Sequence, residues 1–268
     1  MNQITKLPRE LRVPQKSQAG RNNQGRITIR WRGGGHKRFA RVIDKKRLEN
    51  DNLVGKATDI LYDPNRNCRL LLVQYENGKR TLILAPQGVN QENLTEWKIR
   101  SGKDENIPIQ LGNSLPLRNI PVKTPIHNLE LIPGKGGQLI RSAGTWAEIV
   151  GKEIWRKGQE YCQVKLRSKE TRLILADCRA TVGRVGNQGA NRIKLRKAGQ
   201  NRWRGNRPEV RGSAMNPVDH PHGGGEGKAP RGKDPRSPWG WKTLGVRTRR
   251  KSKPNWYIVK SRHLVKNL

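Results

Sequence analysis

Cysteine, acidic side chains and long apolar runs are all scarce in this sequence of 268 residues. The three cysteines, Cys68, Cys162 and Cys178, are widely separated and form no CxxC pair. This spacing argues against a disulfide framework and against a zinc module. We therefore expect a reducing compartment and three buried free thiols.

No stretch of the sequence approaches the length of about 18 apolar residues typical of a membrane-spanning helix, so we expect no membrane partner. The first 16 residues have neither the apolar segment of a secretory signal nor the Arg- and Ser-rich character of an organellar transit peptide.

Because acidic residues are few, the chain carries a large positive charge. The chain has 56 Lys and Arg against 21 Asp and Glu, a net charge of +35. Self-repulsion on this scale destabilises a compact monomer unless an anionic partner neutralises it, and nucleic acid is the first candidate. The charge is uneven, because residues 60–178 carry 18 basic and 12 acidic side chains whereas residues 179–268 carry 23 and four.

The last 90 residues also hold 13 Gly and seven Pro, a composition that indicates little regular core. Four tryptophans lie there nevertheless, at Trp203, Trp239, Trp241 and Trp256. Since ordinary disordered segments contain few aromatics, we predict an extension that becomes ordered on its partner.

The middle of the chain has strand signals. Residues 68–75 and 80–85 are apolar runs that flank Asn77-Gly78, which predicts a hairpin. Further short strands are predicted at residues 126–132, 145–154, 161–167 and 171–176. In the third of these, alternation places Cys162, Val164 and Leu166 inward and Tyr161, Gln163, Lys165 and Arg167 outward. A helical period is visible only at residues 190–198.

We therefore predict a mainly β protein with two small barrels in series and long, basic, non-globular extensions at both ends. The predicted ranges are 1–59 for the N-terminal extension, 60–125 for the first barrel, 126–196 for the second and 197–268 for the C-terminal extension.

Two segments combine cations with aromatic or small residues, a pattern typical of RNA binding. Glycines let backbone amides approach phosphates, and arginine donates to phosphate oxygens or guanine edges. The first segment contains Arg26, Arg30, Trp31, Arg32, Gly33, Gly34, Gly35, His36, Lys37 and Arg38; the alternative there is a solvated basic loop. The second contains Arg202, Trp203, Arg204, Arg207 and Arg211. Its tryptophan would stack on a base or ribose, or else anchor against the second barrel.

A Gly-rich turn at residues 133–137 lacks the spacing and the following Ser or Thr of a nucleotide-binding loop, so we expect Lys135 to meet an RNA phosphate there. Residues 211–228 have almost no apolar bulk. Pro217 and Pro221 fix the backbone there, while Gly223, Gly224, Gly225 and Gly227 let it pass close to a partner surface. Asp219, His220 and His222 are too close in sequence to form a metal site, and we predict no metal.

Residues 20–38, 62–66, 118–145, 197–227 and 238–250 resemble, in order, large ribosomal subunit protein two, the universal L-two family in its bacterial and organellar type. The resemblance implies an oligonucleotide-binding-fold barrel followed by an SH3-like barrel. It implies a structural, non-enzymatic, primary ribosomal RNA-binding protein of the large subunit, near the peptidyl-transferase centre and the subunit interface. Its partners would be large-subunit RNA, neighbouring ribosomal proteins and the small subunit, without homo-oligomer; it would need no cofactor beyond RNA-bound magnesium.

By the same resemblance, the segment nearest the peptidyl-transferase centre comprises Met215, Asn216, Pro217, Val218, Asp219, His220, Pro221, His222, Gly223, Gly224, Gly225 and Glu226. The basic run of Arg247, Arg249, Arg250 and Lys251 joins the RNA-binding set. The family's matching histidine has been considered as a contributor to peptide-bond formation. In an extended strand the Asp219 side chain would point away from His220, so we favour a positioning role for His220 over acid-base catalysis.

Two other classes of function stay open: a general single-strand or nucleoid-binding protein, and an enzyme centred on the His-Pro-His loop. Residues 226–230 and 238–240 look most like plastid and cyanobacterial members. A chloroplast ribosome in the stroma is therefore the expected location, with a mitochondrial or bacterial cytoplasmic ribosome as the alternative.

Overall fold

The computed structural model describes residues 7–103, 107–227, 232, 234–246 and 257–262. These residues divide into two compact units, and each combines segments from distant parts of the chain. The first unit is drawn from the described residues within 1–16, 38–194 and 255–268, and the second from those within 17–37 and 195–254.

The first unit begins with a short 3₁₀ turn and a two-stranded antiparallel ribbon of β1 (Arg12–Gln15) and β2 (Arg38–Arg41). A four-stranded antiparallel sheet follows, in the order β5-β4-β3-β6. Its strands are β3 (Gly55–Leu61), β4 (Leu70–Tyr75), β5 (Arg80–Leu84) and β6 (Lys98–Ile99).

The hairpin predicted at Asn77-Gly78 is confirmed by the pairing of β4 with β5. Gly78 has a φ of 77°, which glycine adopts without strain, and the Asn77 side chain accepts the Lys79 amide at 3.0 Å. Strand β4 is apolar on both faces because both are covered: Leu71 and Val73 belong to one buried cluster and Leu70 and Leu72 to another.

A seven-stranded sheet forms the rest of the first unit, in the order β13-β11-β10-β9-β8-β12-β7. Its strands are β7 (Ser114–Pro116), β8 (Pro125–His127), β9 (Ala147–Arg156), β10 (Gln159–Leu166), β11 (Thr171–Leu175), β12 (Arg179–Val182) and β13 (Ile258–Lys260). Its core includes Leu115, Ile126, Ile149, Val164 and Ile174. The predicted mainly β class is confirmed, and the sheets are consistent with an oligonucleotide-binding-fold-like and an SH3-like barrel.

Three local predictions differ from the structure. The strand predicted at residues 126–132 ends at His127, because Asn128 takes a left-handed φ of 50° and turns the chain. Tyr161 is buried rather than exposed, although the regular pairing of β10 with β11 from Tyr161 to Lys165 keeps it on the face opposite Cys162. Residues 190–198, which are almost wholly exposed and bury no apolar face, do not form one helix.

In place of that helix there is a 3₁₀ turn at Gln188–Arg192 and a short helix, α1 (Ala198–Trp203).

The division into four ranges stays a prediction, although β3 crosses the predicted boundary between residues 59 and 60. No helix in the described part of the chain has the length and apolarity that a bilayer crossing requires.

The prediction of buried free cysteines is confirmed at Cys68, Cys162 and Cys178. Burial raises the pKa of all three thiols, to about 11 at Cys162 and about 12 at Cys178. All three are therefore neutral, small apolar groups in the core.

The second unit contains α1 and a 3₁₀ turn at Gly212–Ala214. Of its described residues only Gly33 and His220 are buried. Turns and backbone hydrogen bonds, rather than an apolar core, therefore hold its described segments together.

Candidate nucleic-acid interface

The two basic segments predicted to bind RNA lie against each other in the second unit, although about 170 residues separate them in the sequence. Three backbone hydrogen bonds join them. The amides of Gly33 and His36 donate to the carbonyls of Gly205 and Trp203, both at 2.9 Å, and the Arg207 amide donates to the Trp31 carbonyl at 3.0 Å. We call this contact the glycine seam.

Glycine is required in the seam because the two backbones touch. A Cβ on Gly35 would lie 2.9 Å from both the amide nitrogen and the Cα of Gly205, closer than real Cβ atoms approach backbone. Gly205 itself has a φ of 89°, which L side chains rarely adopt. The glycines therefore bring the two cationic segments together, in addition to leaving amides accessible.

The seam also fixes one arginine. Arg32 Nη1 donates to the side-chain oxygen of Asn206 at 2.7 Å, and Asn206 in turn donates to the side chain of Asn201 at 2.9 Å. The contact with Asn206 is with a neutral amide, so it does not neutralise the charge of Arg32. The other exposed cations of the two segments are Arg26, Arg30, Lys37, Arg204, Arg207 and Arg211.

Three predicted RNA-binding residues have other surroundings. Arg38 belongs to the first unit, where its Nη1 donates to the Pro64 carbonyl at 3.3 Å. Arg202 is half-buried in α1, with Nη1 lacking a hydrogen-bond acceptor. The Trp203 indole is exposed, and the Lys197 ammonium lies 5.1 Å from its ring centroid.

Beside the seam is a groove of about 580 Å³, built wholly from the second unit. Trp31, Ile29 and Val210 line it together with a third segment that contributes Arg236 and Trp239. The Arg30 guanidinium lies 5.5 Å from the centroid of the Trp239 ring, a cation–π contact. We call it the tryptophan groove.

Sequence reasoning missed Arg236 and Trp239 as site residues. The density of tryptophan in the Gly- and Pro-rich tail indicated an ordered extension, but nothing in it indicated which other segments its tryptophans would face. The Pro-Trp-Gly-Trp run at residues 238–241 was the available signal.

The segment of residues 215–224 is a chain of tight turns. The amides of Asp219 and Gly223 donate to the carbonyls of Asn216 and His220 at 3.0 and 2.8 Å, and Gly224 donates to Met215 at 3.0 Å. The prediction that Asp219 lies in an extended strand is therefore wrong, because these hydrogen bonds fold the segment back on itself.

His220 is the one side chain buried among the described residues of the second unit, with 7% of its surface exposed. Its ring packs directly on Gly212, since a Cβ on that glycine would lie only 2.4 Å from His220 Cε1. The ring also meets the His222 ring edge-on, with 5.0 Å between the two centroids. Nδ1 of His220 accepts the His222 amide at 3.0 Å. The neutral ring then carries its proton on Nε2.

His222 is fixed in a similar way, because its Nε2 accepts the Arg236 amide at 3.0 Å. Each imidazole thus accepts a backbone N–H and helps to hold the turns in place. The Nδ1 of His220 is committed to an amide rather than to the Asp219 carboxylate, so it does not form the orienting dyad of a general base.

The Gly-rich turn around Lys135 in the first unit is closed by an internal anion. The buried Glu130 carboxylate accepts the amides of Gly136 at 2.8 Å, Gly134 at 3.3 Å and Arg179 at 3.0 Å. The turn's amides are therefore directed to Glu130, which supports the rejection of a nucleotide-binding loop, and Lys135 remains exposed.

Among the residues that the structure describes, no three His, Cys, Asp or Glu side chains form a group that could hold a metal ion. The predicted RNA-binding residues Arg247, Arg249, Arg250 and Lys251 lie outside the described residues.

Two family models match the chain, one in each half. Residues 8–94 match the model described as Ribosomal Proteins L2, RNA binding N-terminal domain, and residues 110–240 match Ribosomal Proteins L2, C-terminal domain. Together the two matches span most of the chain and include both basic segments of the glycine seam and the segment around His220. The chain belongs to the ribosomal protein L2 family.

Proposed function

We propose that the second unit of this chain binds large-subunit ribosomal RNA close to the peptidyl-transferase centre and supports association with the small subunit. As a member of its family, the chain is a structural RNA-binding protein of the large ribosomal subunit, located in the ribosome among RNA and neighbouring ribosomal proteins.

The observation that carries the proposal is the glycine seam. It joins two arginine-rich segments through three backbone hydrogen bonds and leaves most of their cations exposed, while the described residues of the unit bury very little apolar surface. A surface of this kind does not stabilise a free globular protein, since it concentrates like charge without a core. A polyanion that neutralises the arginines supplies the missing stabilisation.

For His220 we propose a positioning role. The buried ring accepts the His222 amide and packs on the Gly212 backbone, so it holds the turns of residues 215–224 in shape. An enzyme centred on His220 is the weaker alternative, since its Nδ1 is already occupied and the family is a structural one. We propose no cofactor beyond magnesium bound to RNA, and no homo-oligomer or membrane partner.

The assignment to an organelle rests on sequence resemblance alone. The resemblance of residues 226–230 and 238–240 to plastid and cyanobacterial forms supports a chloroplast ribosome in the stroma as our proposal. A mitochondrial or bacterial ribosome is the alternative.

Ultraviolet crosslinking within the native particle tests the proposal. RNA attached to residues 25–38 and to residues 212–227 would be sequenced separately. We expect both sets of crosslinks to map to large-subunit RNA around the peptidyl-transferase loop. Crosslinks scattered over many RNAs would instead favour a general single-strand binder.

Salt dependence separates the same alternatives in solution. For the full chain and a large-subunit RNA transcript, affinity should fall steeply and linearly with salt on logarithmic axes, because many phosphate contacts release counterions. A single-stranded DNA of equal length is the control. Equal affinity for DNA, or a shallow slope with RNA, would contradict the proposal.

A further inference from the structure

The tryptophan groove differs in chemistry from the glycine seam beside it. Its walls are apolar and aromatic, with Trp31, Ile29, Val210 and Trp239 lining a space of about 580 Å³. That volume lies within the range of about 300–1,000 Å³ typical of sites that enclose a small organic group. A phosphate gains little from apolar walls, so a bare phosphate contact does not account for the groove.

The rim of the groove is cationic. Arg30, Arg32, Arg211 and Arg236 all line it, against one lining carboxylate, Glu209. Two of these cations are held in place by hydrogen bonds to neutral acceptors. Arg32 donates to Asn206 at 2.7 Å, and Arg236 donates to the Gly240 carbonyl at 3.1 Å.

One aromatic wall is already ordered for stacking. The Arg30 guanidinium lies 5.5 Å from the ring centroid of Trp239, which restricts how the indole turns, while 69% of the Trp239 surface stays exposed. Aromatic rings and guanidinium planes are the groups on which proteins stack bases that have left the RNA helix.

We infer that the tryptophan groove takes a single unstacked nucleobase of the RNA, stacked on Trp239, while the rim arginines bind the phosphates on either side of it. This inference rests on the proposed function for the choice of RNA and deepens it by naming the nucleotide-sized ligand of one site. A side chain of a neighbouring protein is the competing occupant, and the four rim cations favour the anionic nucleotide over it.

The test compares two tryptophans of the same segment. Trp239→Ala removes the groove wall, and Trp241→Ala is the matched control, because Trp241 is also exposed, at 75%, but does not line the groove. With the full chain and a large-subunit RNA transcript, we expect Trp239→Ala to weaken binding about 5- to 100-fold, the range typical for losing one base stack. Trp241→Ala should change affinity less than about twofold, and Trp239→Phe should recover most of the loss.

Two further readouts separate stacking from charge. The slope of affinity against salt should be the same for Trp239→Ala and wild type, because no phosphate contact is removed, whereas Arg30→Gln should lower the slope by about 0.7. Base-specific chemical modification of the RNA should reveal one nucleotide that the wild-type chain and Trp241→Ala protect and that Trp239→Ala leaves reactive.

Failure of the proposed function and failure of the nucleobase inference give different results in these experiments. If the wild-type chain shows no preference for ribosomal RNA, the proposed function fails and the inference fails with it. If the wild type binds but the Trp239 and Trp241 variants bind equally, only the inference is overturned. Unchanged RNA affinity together with loss of a neighbouring protein from reconstituted particles would show that a protein side chain occupies the groove, and would also overturn it.

Discussion

Arg179 and Asp51 form a bidentate ion pair in the first unit, with Nη1 to Oδ1 and Nη2 to Oδ2 both at 2.6 Å. Arg179 begins β12 of the seven-stranded sheet, and Asp51 precedes β3 of the four-stranded sheet. The pair therefore links the segments that lead into the two sheets. The Arg179 side chain is 4% exposed and that of Asp51 30%.

Because the guanidinium is buried, Asp51→Asn should leave it without its counter-charge and lower the free energy of unfolding by about 2–4 kcal/mol. Urea denaturation at neutral pH measures the change. Glu49→Gln is the matched control, since it makes the same acid-to-amide change in the exposed ion pair of Glu49 with Lys79, where we expect little effect. Equal losses in the two variants would contradict a special role for the buried pair.

Gly35→Ala should open the glycine seam. The added Cβ would meet the Gly205 backbone at 2.9 Å, and backbone cannot move aside as a flexible side chain can. Overpacking of this kind costs about 1–3 kcal/mol, so the His36 amide, which donates to Trp203, should exchange its hydrogen about 5- to 100-fold faster. RNA affinity should fall in parallel.

Gly199→Ala provides the control for that experiment. Gly199 lies in α1 of the same unit, and a Cβ there meets nothing within 4 Å. Alanine also favours helix over glycine, so His36 exchange and RNA affinity should stay at wild-type values. A wild-type exchange rate in Gly35→Ala would show that the seam tolerates a methyl group.

Structural features that depend only on neighbouring residues in the sequence could be predicted. The Asn77-Gly78 turn specifies its own φ values, and the apolar runs around it pair directly, so the hairpin of β4 and β5 was visible from sequence. The two basic segments were recognised for the same reason, because the first combines cations with glycines and the second interleaves arginines with Trp203.

Features that depend on distant parts of the chain could not be predicted. Gly35 and Gly205 meet through backbone atoms, and such a contact leaves no hydrophobic period in the sequence. Neither the glycine seam nor the tryptophan groove beside it could therefore be predicted. Tyr161 lies on the face of β10 opposite Cys162, as the alternation predicts, yet its side chain is buried, which the pattern of its own strand does not indicate. Asn128 ends β8 through its backbone conformation, while the apolar pattern around it continues.

His127 should make the first unit sensitive to acid. Its ring is fully buried, one nitrogen donates to the Gly183 carbonyl at 2.9 Å, and burial lowers its pKa to about 4. The unfolded chain, with a pKa of about 6.5 for histidine, binds the proton first as pH falls. The stabilisation is therefore present above pH 6.5 and is lost as pH drops toward 4, by roughly 3 kcal/mol in total.

His127→Asn isolates this contribution, because the asparagine amide can keep a donor near Gly183 and does not titrate. Urea denaturation at pH 7 and pH 4.5 should show a smaller loss of stability in the variant than in the wild type. All other titrating groups are common to the two proteins, so identical losses would show that His127 is protonated equally in both states.

Arg141 should destabilise the free first unit. Its Nε and Nη2 are buried without hydrogen-bond acceptors, and its pKa is lowered by burial first and by the charge of Arg66 second. Arg141→Met keeps a long apolar stem and removes both the repulsion and the unpaired donors, so the free energy of unfolding should rise by about 1–2 kcal/mol. Arg118→Met removes the same charge from an exposed ion pair with Asp177 and should bring no such gain. A fall in stability for Arg141→Met in urea denaturation would mean that the guanidinium contributes more through its packing than it costs.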